Sequence, residues 1–147
     1  MAKINFIELK DREYHENCSL EEVEAIKNRV SLINEDIIHV HALKRPTVFS
    51  SKIITTQIGK YVKGDKKKHV LINVNYTQKP NQKIRTIIKN SYLKLKPQLV
   101  HVTVYTNNDY FAMHIVKFIA LFSGVKPLSI FSTKEKALTH IKSLQIA

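Results

Sequence analysis

Apolar and polar residues alternate along three stretches of the chain, and apolar residues recur at helical spacing between them. The alternating stretches are Ile37 to Leu43, His69 to Asn75 and Gln98 to Tyr105, and each predicts a β-strand. A shorter strand is expected from Pro127 to Phe131. Because helical segments with short links separate these strands, the order predicts parallel pairing and right-handed crossovers. The pattern therefore indicates an α/β protein with a mixed, mostly parallel sheet.

Four helices are expected after these strands. Capping residues mark their starts, and Gly124 followed by Pro127 favours a helix end. The last helix opens with Ser132-Thr133-Lys134-Glu135, a capping-box pattern. The other three run from Ser50 or Ser51 to about Val62, from Asn81 to about Leu95, and from the end of Asn107-Asn108-Asp109 to Ser123.

The N-terminal segment has its own pattern. Lys3 to Leu9 alternates enough for a strand, and Ser19 with Glu22 forms a capping box that predicts a short helix. Arg29 to Ile33 predicts a further strand, which turns back through Asn34-Glu35-Asp36. The α/β body is thus expected to carry an extra strand and helix at its N-terminal end.

The N-terminal segment and the α/β body also differ in net charge. Residues 1–36 hold nine acids and five bases, whereas residues 37–147 hold three acids and nineteen bases, so the two parts carry −4 and +16. A basic body of this kind attracts polyanions, and an acidic segment folding back on it is the alternative explanation. We expect residues 1–147 to form a single domain, with an acidic N-terminal segment and a basic α/β body.

The two faces of the predicted sheet differ in polarity. One face is aliphatic along all three longer strands, whereas the other includes His39, His41, His69 and His101. This contrast predicts two main layers, with helices mostly on the apolar side. Histidines two apart on a strand share a face, as metal ligands can, but carboxylate or thiol partners at useful spacing are absent. Solvated or hydrogen-bonded histidines are expected, and a pH-sensitive association surface is the alternative.

Composition points to a soluble intracellular protein. With 147 residues, 44% of them hydrophobic, the chain is long enough for a core. Cys18 is its only cysteine, which excludes an intrachain disulfide and fits a reducing compartment. The N-terminus lacks the features of a signal peptide. The apolar run from Tyr110 to Phe122 is too short to cross a bilayer, so a cytoplasmic protein without a membrane span is expected.

Two groups of basic residues are candidate anion sites. The basic loop, at the expected carboxyl end of a central strand and start of a helix, is suited to an anion or an acidic partner. The lysine cluster lies in the turn between a helix and a strand, where it would meet phosphates. For both groups a solvated loop is the ordinary alternative. The basic loop contains Lys79, Lys83 and Arg85, and the lysine cluster contains Lys60, Lys63, Lys66, Lys67 and Lys68.

The helix that ends at Ser123 is apolar nearly all round. Such a helix is either fully buried or shared with a partner, which makes it a candidate for self-association. We call its expected contact surface the aromatic helix face: Tyr110, Phe111, His114, Phe118 and Phe122.

Residues for catalysis are scarce. Beyond residue 36 the only acids are Asp65, Asp109 and Glu135, two in predicted turns and one in a capping box. Paired carboxylates and nucleophile–histidine arrangements cannot be assembled from them. We expect a protein that is not an enzyme and needs no cofactor or metal.

The C-terminal stretch HIVKFIALFSGVKPLSIFSTKEKALTHIKS resembles the signature of SpoIIAA-like members of the STAS superfamily, which are small bacterial proteins. Pro127, Phe131, Ser132, Ala137 and Ile141 stand where that signature places its strand proline, phenylalanine, helix cap and inward helix residues. The similarity covers approximately residues 28–145. It implies a sheet with helices gathered mainly on one face.

One feature of the superfamily is missing. Its anti-sigma-factor antagonists carry a phosphorylated serine in a turn before a helix. The corresponding stretch, Asn75 to Lys83, contains no serine, and Thr77 is its only small hydroxyl residue. The resemblance therefore implies the scaffold without the phosphorylation switch.

These observations support three functional hypotheses. The leading one is a non-enzymatic SpoIIAA-like binding or regulatory domain that forms a homodimer or binds an unidentified protein. A polyanion-binding module, with nucleic acid as partner, is less favoured because twenty of the bases are lysine and only four are arginine. The third is a carrier for a small apolar ligand.

Overall fold

Helices and strands alternate along most of the chain. The computed structural model describes residues 8–64, 66–74, 79–123 and 128–146, apart from the side chains of 121–123 and 146. The strands are β1 (Val30–Ile33), β2 (Ile37–His41), β3 (Lys68–Asn73), β4 (Leu99–Tyr105) and β5 (Leu128–Phe131). The helices are α1 (Leu20–Lys27), α2 (Val48–Val62), α3 (Gln82–Leu95), α4 (Tyr110–Ser123) and α5 (Lys134–Ile146), with a 3₁₀ turn at Lys96–Gln98.

The strands form one sheet in the order β1-β2-β3-β4-β5. β1 and β2 are antiparallel, and β2 to β5 are parallel to one another. Ile38, Val70, Val102 and Leu128 lie side by side across the four parallel strands. The prediction of an α/β fold with a mixed, mostly parallel sheet is confirmed.

The connections explain why most of the helices share one face. α2, α3 and α4 each link a strand to its parallel neighbour, and right-handed crossovers between successive neighbours place the linking helices on the same side. The main core lies there, where Val40, Val70 and Val104 pack with residues such as Val62 and Tyr92.

The expectation of only two main layers is wrong, because α5 covers the opposite face. α5 comes after β5, the last strand described, so it is not a crossover between two of the described strands. Its Ala137 and Ile141 are fully buried against Ile37, Leu71 and Tyr105 of the half-polar face. This smaller core makes the sheet the middle layer of three over β3, β4 and β5.

The N-terminal segment packs beside α2. Ser19 and Glu22 form the predicted capping box at the start of α1. Ile26 of α1, Tyr14 and Leu43 form a third apolar cluster. The strand predicted from Lys3 to Leu9 lies mostly outside the described residues, and its last two residues are not in a strand.

Two helices have caps that lie one to four residues before or after the predicted ones. α2 is capped by Thr47, whose side chain exchanges hydrogen bonds with Ser50, so Ser50 occupies the third helical position. At α5 the backbone N–H of Lys136 donates to Thr133 Oγ1 at 3.3 Å, which makes Thr133 the cap rather than Ser132. Adjacent hydroxyl residues compete for one capping role, and the backbone direction selects among them. The predicted Asn81 cap of α3 is confirmed.

Candidate ligand-binding sites

An apolar cavity of about 180 Å³ lies between the sheet and helices α2, α3 and α4. Its floor is the aliphatic face of the strands, including Val40, Ile72 and Val104, and its roof includes Ile58 and Ile88. The backbone of α3 comes close to α2 and α4 but less close to the strands, whereas α5 packs directly on β3, β4 and β5. The cavity is thus the space left where the helical layer stands away from the sheet.

Few polar groups reach this cavity. The hydroxyl-bearing residues of its lining are Ser51, Thr55, Ser91 and Tyr92, and Thr55 Oγ1 already donates to the carbonyl of Ser51 at 2.9 Å. None of the described lining residues is charged. A cavity with such walls holds a molecule through dispersion and burial of apolar surface, without the fixed polar contacts of a catalytic pocket.

The opposite face of the sheet ends in a row of polar side chains at the carboxyl edge of the parallel strands. His41, Asn73 and Tyr105 are direct register partners on β2, β3 and β4. Arg29 stands opposite His41, because the His41 N–H donates to the Arg29 carbonyl at 2.8 Å. We call Arg29, His41, Asn73 and Tyr105 the edge row. Ligands of open α/β sheets bind at this edge.

Hydrogen bonds orient the edge row. Asn107 Nδ2 donates to Asn73 Oδ1 at 3.2 Å, and Asn73 Nδ2 lies 3.2 Å from His41 Nδ1. Because the amide nitrogen of Asn73 can only donate, His41 Nδ1 accepts, and the neutral ring carries its proton on Nε2. Beside it, His39 Nε2 lies 2.7 Å from the Tyr105 hydroxyl, in a buried contact.

Burial and nearby cations keep these histidines neutral. Burial lowers the pKa of His39 to about 4, with smaller contributions from His41 and the ammonium of Lys134. Burial also lowers the pKa of His41, and the charges of Arg29 and Lys134 lower it further. Burial raises the pKa of Tyr105, and the carboxylate of Glu135 adds to this effect. The potential at the imidazoles is therefore positive.

The other two predicted histidines, His69 and His101, lie beside α5, where His140 contacts the ring of His101. His101 Nε2 is 2.9 Å from Ser129 Oγ, which is 3.2 Å from His140 Nε2. His69 is buried, and its Nδ1 has no hydrogen-bond partner among the described residues. Burial is the main cause of a lowered pKa for both His69 and His101. The four predicted histidines thus share a face, as expected, and α5 covers His69 and His101 on β3 and β4.

Metal binding by these histidines finds no support in the described part of the chain. Within it, no group of three or more His, Cys, Asp or Glu side chains is arranged to hold a metal ion. The histidines instead bond to hydroxyl and amide groups, as at His39 and His101.

The basic loop does not converge on a pocket for an anion. Lys79 and Lys83 are exposed, and Arg85 Nη1 donates to the Pro80 carbonyl at 2.7 Å. Lys79 Nζ and the Arg85 guanidinium lie 4.5 and 5.2 Å from the centre of the Phe118 ring, within the range of a cation–π contact. Residues 75–78 of the loop lie outside the described set. Lys79 and Arg85 thus contact α4.

Two residues of the lysine cluster bind to the turn between β1 and β2. Lys66 Nζ lies 2.7 Å from Asp36 Oδ1, and this contact is the main cause of the lowered pKa of Asp36. Lys68 Nζ donates to the Glu35 carbonyl at 2.7 Å. The other three side chains, Lys60, Lys63 and Lys67, are exposed.

The aromatic helix face is divided by the fold. α4 turns Ala112, Ile115, Val116 and Ile119 into the core. Tyr110 and Phe111 remain 79% and 54% exposed, His114 is exposed and Phe118 is half-buried, while the side chain of Phe122 is outside the described set. Among the described helices, none is sufficiently long and apolar to cross a membrane.

The sequence did not point to the cavity or to the whole edge row. Strand alternation places His41, Asn73 and Tyr105 on one face, so part of the row was predictable. Arg29 joins it only through the register of the β1–β2 pair. The cavity has no sequence signal, because its lining residues follow the ordinary pattern of a core.

Known proteins do not identify either site. A comparison of the chain with protein-family models, with curated proteins and with solved structures finds no match. The cavity and the edge row are the features that bear on function.

Proposed function

We propose that the chain is a non-catalytic, SpoIIAA-like binding domain that holds a small apolar molecule between its sheet and α2, α3 and α4. The cavity of about 180 Å³ is the observation on which the proposal rests. The SpoIIAA-like part draws support from the sequential order of the strands and from the gathering of three linking helices on one face. That arrangement agrees with what the C-terminal resemblance implies.

The size of the cavity gives a physical reason for a ligand. Protein cores are normally close-packed, with few voids larger than a water molecule. The space between the sheet and the helices is far larger than such a void and is partly open to solvent, so its aliphatic walls meet water. A bound apolar molecule would remove that surface from water, which is favourable by about 25 cal/mol per Å².

Volume and lining also define the class of ligand. An apolar protein cavity of about 150 Å³ stays dry and accepts benzene, so this one has room for a single ring or a short aliphatic chain. An ionised group would lack a partner, because the described lining carries no charge. The ligand is therefore neutral and small.

The positions of the acids favour binding over catalysis. Asp109 accepts a hydrogen bond from the Ala112 N–H at 3.1 Å, and Glu135 lies in the first turn of α5. Both carboxylates are thus at helix starts and away from the cavity. The third acid of the basic body, Asp65, lies outside the described residues.

A direct test is to add toluene to the purified protein and to follow its side-chain methyl resonances by NMR. Hydroquinone, which has a ring with two hydroxyl groups, is the matched polar probe. We expect toluene to shift the methyl signals of Ile58, Ile72 and Val104 in a saturable manner, and hydroquinone to leave them unchanged. Equal effects of both probes, or shifts confined to exposed methyl groups, would refute the proposal.

Self-association is a second candidate function, favoured by the exposed aromatic pair on α4. Tyr110 and Phe111 are adjacent and mostly exposed, and a second copy of the chain would bury them. We expect light scattering at tens of micromolar to show a dimer that Phe111→Ser weakens. Leu93→Ser is the control, because Leu93 is equally exposed, at 53%, on α3. A monomeric parent protein would eliminate this candidate.

A further inference from the structure

Arg29 is the first indication of a second site, on the face of the sheet opposite the cavity. Its side chain is half-buried, and its Nε is buried without a hydrogen-bond partner among the described residues. Burial lowers its pKa, and the neighbouring Tyr14 opposes this effect only in part. No ion pair to Arg29 occurs in the described part of the chain. A desolvated guanidinium is costly unless an anion accompanies it.

Lys134 supplies a second positive charge at the same place. It is the first residue of α5, is half-buried and has no ion pair among the described residues. The Asn108 N–H donates to the Ser132 carbonyl at 2.8 Å and Asn107 bonds to Asn73, so the start of α5 lies next to the edge row. The charges of Arg29 and Lys134 both lower the pKa of His41. The partial positive charge of the α5 N-terminus adds to this field.

His41 contributes an oriented N–H donor next to the two cations. Asn107 donates to Asn73, and Asn73 donates to His41 Nδ1, so the His41 proton is held on Nε2. The chain of hydrogen bonds fixes the imidazole and keeps it a neutral donor. An oxyanion is bound well by such a combination of a guanidinium, an ammonium and N–H donors.

We propose that Arg29 and His41 of the edge row, together with Lys134, bind a small oxyanion: the phosphate or carboxylate group of a ligand at the carboxyl edge of the sheet. Strand alternation places this site on the α5 side, whereas the apolar cavity lies on the other side. The two sites therefore take different ligands. The oxyanion site goes beyond the proposed function and does not depend on it.

One acid opposes the binding of an anion. Glu135 is exposed in the first turn of α5, and its charge contributes to the raised pKa of Tyr105. It is close enough to weaken the positive field, although Arg29 and Lys134 outnumber it. Neutralising this carboxylate is therefore expected to tighten binding, which is an effect that mere structural damage would not produce.

The test is calorimetric titration near pH 7 and at low salt, with inorganic phosphate and acetate in separate experiments. We expect saturable binding of at least one, with a Kd of about 1 mM or tighter. The tighter of the two identifies the ligand group as phosphate or carboxylate. The proposal is overturned if neither phosphate nor acetate binds saturably at concentrations up to about 50 mM.

Four variants locate the site. Arg29→Gln should weaken binding about tenfold or more, since it removes a charge-assisted contact, and Lys134→Gln should weaken it several-fold. Glu135→Gln should tighten it by roughly twofold to threefold. Arg85→Gln is the control from the basic loop and should leave Kd unchanged.

The variant outcomes separate this proposal from its rivals. Loss of binding in Arg85→Gln together with full binding in Arg29→Gln would move the anion site to the basic loop and overturn the assignment. If Arg29→Gln does not fold, Lys134→Gln and Glu135→Gln decide the question. Both lie in the first turn of α5, and the proposal requires the first to raise Kd and the second to lower it. Toluene shifts that persist in Lys134→Gln would show that the cavity is independent of the oxyanion site.

Discussion

Ser91→Leu tests whether the space under α3 is real. Ser91 is half-buried on α3 and lines the apolar cavity. Leucine replaces its hydroxyl with three carbon groups that point into that space. At about 0.8 kcal/mol for each buried carbon, the substitution should raise the free energy of unfolding by roughly 2 kcal/mol.

The space beside Ser91 has a volume of about 180 Å³, which is enough for the added carbons. A site without spare room behaves in the opposite way, since overpacking a filled core costs about 1–3 kcal/mol. The sign of the change therefore distinguishes the two cases.

The assay is equilibrium urea unfolding of Ser91→Leu, with Asn90→Leu as the matched control. Asn90 is exposed on the same helix, so its replacement shares the higher helix propensity of leucine but not the cavity. We expect Ser91→Leu to be more stable than Asn90→Leu by about 2 kcal/mol, with an unchanged m-value. It should also lose the stabilisation that toluene confers on the parent protein. A Ser91→Leu protein that is less stable than the control would refute the cavity.

Three further predictions concern stability. Burial lowers the pKa of His39 from about 6.5 in the unfolded chain to about 4 in the folded chain, so its contribution to the free energy of unfolding is fully present above about pH 6.5 and falls towards pH 4. The loss is at most about 3 kcal/mol for this side chain. Urea unfolding at several pH values should show a smaller loss in His39→Gln than in the parent protein. Tyr105→Phe should cost about 1–3 kcal/mol, because it leaves His39 Nε2 buried without its partner, whereas Tyr110→Phe, at an exposed position, should cost almost nothing. Equal losses would contradict this. Thr47→Ala removes the α2 cap and should lower the free energy of unfolding by about 1–2 kcal/mol. The control Thr139→Ala, at an exposed position, should change it little, and thermal unfolding measures both.

Much of the order of elements was predictable because it rests on local physics. The alternation from Ile37 to Leu43 and from Gln98 to Tyr105 reflects side chains that point to opposite faces of a strand, and β2 and β4 lie there. Asn81 caps α3 because an amide oxygen after an extended residue can accept the free backbone N–H groups of the first turn. Predictions of this kind need only residues that are neighbours in the chain.

Helix starts were less predictable where several hydroxyl residues stand together. Thr47 and Ser50 are both good caps, and the sequence favoured the second. The structure uses Thr47 because its side chain also bonds to the carbonyl of Tyr14, which is remote in the chain. A tertiary contact thus decided between two local solutions of similar energy.

The sequence by itself determined the strand–helix order, the alternating faces of the sheet and the positive charge of the body. Tertiary structure alone decided that α5 covers His69 and His101, that Arg29 stands beside His41, and that the helices leave a cavity above Ile72. The physical reason is the range of the interactions. Local hydrogen bonds and side-chain direction form elements, whereas the distance between a helix and a sheet depends on side chains that meet only after the chain has folded.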